Sequence, residues 1–63
     1  STELGFWAGL GIAASGEVEA GAERLAGAIA AHPGWRDLLA RLEPEIAPSA
    51  DAVRAALGVE RDR

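Results

Sequence analysis

The chain has no cysteine, no methionine, no lysine and no asparagine, and only one histidine in 63 residues. Without cysteine no disulfide can brace it, and one histidine is too few for a structural metal site. A chain this short buries only about 60% of its unfolded surface, so oligomerisation, or attachment to something larger, is the remaining source of support. The missing methionine, including at position 1, predicts a processed or excised segment of a longer protein. Positive charge is also scarce: six basic residues, all arginine, stand against ten acidic ones, giving a formal charge of −4. That balance repels phosphate backbones and anionic membranes, and the arginines are scattered rather than gathered on one stripe, so neither nucleic acid nor membrane is an expected partner. The longest weakly polar run, Leu4 to Ala14, is far shorter than the roughly 20 residues of a spanning helix. No basic segment precedes it as in a signal peptide. A soluble, cytoplasmic protein is the expectation.

What is present points to helices. Hydrophobic residues make up 49% of the chain, dominated by alanine and leucine. Ser1 or Thr2 can cap a first helix ending near Ser15, with Glu3 placed favourably against its dipole and Gly16 as a left-handed stop. Within it Leu4, Trp7, Ala8, Gly11 and Ile12 follow the spacing of one helical face, which predicts the seam of a hairpin. Glu17 and Glu19 open a second helix whose Val18, Ala22, Leu25 and Ile29 form its apolar stripe. Pro33 ends it at His32, and Gly34 permits the turn. A third helix from about Trp35 carries Leu38, Leu39 and Leu42, with an Asp37–Arg41 pair, and Pro44 limits it. Glu43 to Pro48 is expected to wrap the end of the bundle with Ile46 inserted. Ser49 caps a fourth helix through Val53, Ala56 and Leu57, closed by Gly58. Val59 to Arg63 should fray.

The small and apolar residues Gly9, Ile12, Gly21 and Leu25, with Pro33 behind them, resemble the signature of a tetratricopeptide repeat. They stand where that family has Gly, Tyr, Ala, Phe and a closing Pro, and the resemblance covers about half of the chain. Gly5 replaces the family's large aromatic residue, Ala8 its Leu and Gly21 its Ala. The resemblance implies one helical hairpin over residues 2–35 followed by a capping helix pair over 36–58, and an all-α array of about four antiparallel helices in a single small domain. It also implies a concave surface on the first helix, at Glu3, Phe6, Leu10, Ala13 and Ala14, that receives a peptide or neighbouring element. Two readings stand for its apolar members: a docking surface for a protein partner or a second copy, or packing on the fourth helix, an upstream repeat or a symmetry mate. The Lys and Asn with which related repeats clamp a peptide carboxylate are absent. Trp35 is either a hot-spot anchor or a seal against Ile29 and Leu38.

Gly5, Gly9, Gly11, Ala13 and Ala14 form an edge of small residues, which reads as tight packing within the hairpin or as a close approach to another helix. Gly9 to Ala14 also fits the dinucleotide pattern G-x-G-x-x-A, but no strand precedes it and the match lies inside a helical pattern. His32 at a helix C-terminus reads as a cap favoured by the dipole. Glu17, Glu19 and Glu23 read as a solvated face rather than a metal cluster. With no Ser-His-Asp set and no cysteine nucleophile, an enzyme is not expected, and no cofactor or metal is implied. The order of Trp7, the Pro33–Leu39 segment and Pro48 is similar to the helical C-terminal tail of an uncharacterised bacterial family whose N-terminal part resembles N-terminal-nucleophile hydrolases. That likeness implies a non-catalytic accessory segment. The sequence thus predicts a protein-association or self-association module.

Overall fold

A computed structural model describes residues 1–62. They form four helices and no strand: α1 (Thr2–Ala14), α2 (Val18–Ala31), α3 (Gly34–Arg41) and α4 (Ala50–Leu57). The all-α class with about four helices is the one observed.

The helix limits follow local chemistry. The Ser1 hydroxyl accepts the Leu4 amide at 3.3 Å, satisfying one of the free donors of the first turn of α1. At the other end Gly16 takes φ +110°, and the amides of Gly16 and Glu17 donate to the carbonyls of Ala13 (3.0 Å) and Ile12 (3.3 Å). These paired bonds make a Schellman stop, which needs a residue that tolerates the left-handed region. α2 ends where His32 goes extended ahead of Pro33 (φ −142°, ψ 98°), as the proline ring requires of its predecessor. Pro33 is itself helical and leads straight into α3. The Asp37–Arg41 pair expected there does not form; the salt bridge found among the described residues joins Arg54 to Asp51.

α1 and α2 pack as an antiparallel hairpin, and two glycines set their separation. A Cβ on Gly9 would stand 2.8 Å from the Gly21 carbonyl oxygen, and one on Gly21 would stand 2.8 Å from the Ala13 nitrogen. The backbones therefore touch. α4 lies across the hairpin, contacting both helices, and α3 bridges α2 to α4. Phe6, Leu25, Leu39 and Val53, one from each helix, are the largest fully buried side chains. Burying each contributes on the order of 2 kcal/mol. The total surface of 3921 Å² is close to the ~3,800 Å² that a folded monomer of this mass exposes.

The structure corrects the seam of the hairpin. Phe6, Gly9, Leu10 and Ala13 are the buried residues of α1, whereas Leu4 and Trp7 are 72% and 40% exposed. The reason is the crossing: α2 can come close only over Gly9 and Ala13, which turns the Leu4 side outward. Ile46 is exposed rather than inserted, because a turn closed on the Glu43 carbonyl by the amides of Ile46 and Ala47 directs Ala47 inward instead. The tail is docked, not frayed. Gly58 at φ +71° closes a second Schellman stop in which the Val59 amide reaches the Arg54 carbonyl at 2.9 Å, and the Val59 side chain is buried. The Asp62 amide donates to the Ala40 carbonyl at 2.8 Å. Arg63, the last residue of the expected frayed end, lies outside the described residues.

Candidate interaction surface

The face read from the sequence as concave divides between inside and outside. Phe6, Leu10 and Ala13 belong to the core, so they present no surface to a partner. Phe6 is enclosed by two rings: Trp35 stacks on it with centroids 4.8 Å apart, and Trp7 meets it edge-on at 5.1 Å. The Leu10 carbonyl accepts the Ser49 hydroxyl at 2.8 Å, which ties the start of α4 to the middle of α1. Ser49 thus makes no side-chain cap on α4; its hydroxyl is spent across the helix pair. Glu3 and Ala14 are exposed at the two ends of α1.

Trp35 is half-buried and packs against the core, as Ile29 and Leu38 also do, with its indole nitrogen 3.4 Å from the Thr2 hydroxyl. It holds the start of α3 against the start of α1. A shallow depression of about 480 Å³ runs past its edge, lined by Thr2, His32, Gly34, Trp35 and Leu38. A second of about 410 Å³ lies between the hairpin helices, between Gly5 on one side and Ala20 and Gly27 on the other, with Glu23 and Arg24 also lining it.

The face that sequence periodicity assigned to the hairpin seam is the outer face of α1. Leu4, Trp7, Ala8 and Gly11 are exposed on the side opposite the core, and Ile12 is half-buried at its margin. None carries a charge. A helix apolar on all sides is ordinarily buried on all sides, and α1 is polar only at Thr2 and Glu3. Gly11 adds a second oddity. A Cβ there would meet nothing within 4 Å, yet a helix-interior glycine is about 1 kcal/mol less favourable than alanine. Gly9 and Gly21 are required by the crossing; at Gly5 and Gly11 no contact among the described residues bars a larger side chain.

The remaining motifs occupy plain structural positions. His32 is exposed, and its amide donates to the Ala28 carbonyl at 2.9 Å to close α2. Glu17, Glu19 and Glu23 are exposed along the start of α2. Among the described residues no three His, Cys, Asp or Glu side chains gather where a metal ion could sit, and no helix is long and apolar enough to cross a membrane. The G-x-G-x-x-A run lies within α1, with backbone amides engaged in the helix rather than free to hold phosphate.

Among the described residues the one buried ionic group is Arg54, 3% exposed. Its guanidinium donates to the carbonyls of Leu39 (2.7 Å) and Leu42 (3.0 Å) and to the Asp51 carboxylate. The last carbonyls of α3 lack the amides a continuing helix would supply, that of Leu39 keeping only the Leu42 amide at 3.3 Å, and a cation there also suits the dipole. Arg54 is a cap delivered from another element, which the sequence hides because an arginine amid alanines reads as surface.

Comparison with protein-family models, with curated proteins and with solved structures finds no match to this chain.

Proposed function

We propose that this chain is a protein-association module that works through the outer face of α1 and does no chemistry of its own. The observation that carries the reading is the exposure of Leu4 and Trp7 on a helix whose opposite side is already committed to the core. A hairpin of tetratricopeptide type is part of the proposal, and the contact of Gly9 with Gly21, the residues aligned with that family's Gly and Ala, supports it. A cytoplasmic setting belongs to the same reading.

A photoreactive benzophenone residue in place of Ala8 tests it, with Ala26 on the exposed side of α2 as the control position. Irradiation in the expressing cell is expected to give a discrete adduct from position 8 and none from position 26. No adduct from position 8, or the same adducts from both, contradicts the reading.

A further inference from the structure

The outer face of α1 is graded in size along its length. Leu4 and Trp7, both exposed, fill its first half; Gly11 and Ala14, also exposed, leave its second half nearly bare. These four recur at the alternating three- and four-residue spacing that keeps a seam on one side of a helix. Nothing within 4 Å of the Gly11 Cβ position accounts for its small size.

We propose, building on the reading of this face as an association surface, that its partner is α1 of a second copy running antiparallel. The Leu4–Trp7 half of each helix then lies over the Gly11–Ala14 half of the other. Such a pairing is isologous, with every contact made twice about a two-fold axis. Each large side chain meets a small one, so the two backbones approach evenly. A parallel pairing sets Trp7 against Trp7 and leaves a void at Gly11, and it places Glu3 beside Glu3. Charge selects this face as well. Each copy carries a formal charge of −4, and the stretch from Leu4 to Ala14 is uncharged, whereas the exposed side of α2 would bring Glu19 and Glu23 of both copies together. The area is modest. A standard stable interface takes ~800 Å² from each partner, about a fifth of the 3921 Å² here, and one helix about 20 Å long offers less. The dimer is therefore a rapidly exchanging one, captured best by cross-linking.

The absence of cysteine makes the test clean. Leu4→Cys, Gly11→Cys and Ala14→Cys each change an exposed position, so the monomer fold is retained. The purified variants are oxidised singly and in mixed pairs, with Ala26→Cys as an exposed control, and the disulfide products are weighed by mass spectrometry. The Leu4→Cys chain is expected to join Gly11→Cys or Ala14→Cys at least several-fold more than it joins itself. Preferential self-joining at position 4 and at position 11 overturns the antiparallel arrangement but leaves α1 as the association surface. Cross-linking no greater than that of the Ala26→Cys control overturns the second copy as partner; a photo-adduct of another mass from position 8 would then assign the face to a different protein. No adduct of either kind removes the association reading itself.

Discussion

A methyl group added at Gly9 or Gly21 runs into backbone, with the nearest oxygen or nitrogen 2.8 Å away or closer, while one added at Gly11 meets open space. Alanine is the better helix former at all of these positions, so the same substitution should change sign with location. Gly9→Ala or Gly21→Ala is expected to destabilise the fold on the order of 2 kcal/mol through overpacking. Gly11→Ala should stabilise it by about 0.5–1 kcal/mol. Urea unfolding at concentrations too low for association checks both signs. Arg54 makes a second contrast. Arg54→Ala strands the Leu42 carbonyl in the interior and leaves the Leu39 carbonyl with only the Leu42 amide at 3.3 Å, and is expected to cost about 1–3 kcal/mol, the cost of one unpaired buried acceptor. Asp51 is 64% exposed, so Asp51→Asn should cost less than about 1 kcal/mol. Equal losses from the two variants in the same unfolding assay would mean that the ion pair, not the carbonyl cap, holds α3 to α4.

At the scale of elements, α1 is the piece whose existence was legible and whose orientation was not. Ser1, Gly16, Pro33 and Gly58 are local signals, each satisfied or terminated within a few residues, so the limits of the helices could be read directly from the chain. The faces of α2 were readable in part, because Ala22 and Leu25 stand out against charged neighbours, though Val18 and Ile29 are only half-buried. α1 offers no such contrast. The sets Leu4, Trp7, Ile12 and Phe6, Leu10, Ala13 both fit a helical period, and only a contact 12 residues further along, Gly21 against Gly9, decides between them. The apolar members of the candidate face followed: Phe6, Leu10 and Ala13 lie in the core, the packing alternative that the sequence left open, and Leu4 and Trp7 took the outside. Val59 could have been placed, since an apolar residue after a closing glycine is the usual hydrophobic contact of a Schellman stop. Ser49 was misread for a related reason. A serine before a helix suggests a cap, but its hydroxyl is bound to the Leu10 carbonyl instead. Ser49→Ala should therefore cost about 1 kcal/mol, and Ser49→Asp, a good cap, should fail to restore it because a carboxylate would face that carbonyl. Full rescue by aspartate in thermal unfolding would return Ser49 to the capping role.

At the scale of the whole molecule, a chain of 63 residues without disulfides rests on one small core assembled from all four helices. Such a core yields little stability to spare, so leaving Leu4 and Trp7 outside is difficult to explain by folding alone. Association would add stability by mass action that rises with the logarithm of concentration, and the outer face of α1 would then serve both the fold and the partner. Sedimentation equilibrium of the purified chain over a wide concentration range, beside Leu4→Glu, tests this most directly. Leu4 is exposed, so the glutamate variant should keep the helical content and dilute-solution melting of the wild type while losing any association. The account predicts a wild-type mass that climbs from 6.5 kDa towards twice that value and a Leu4→Glu mass that stays at 6.5 kDa. A wild type that remains at 6.5 kDa at every concentration, or a Leu4→Glu chain that associates as readily, would contradict it.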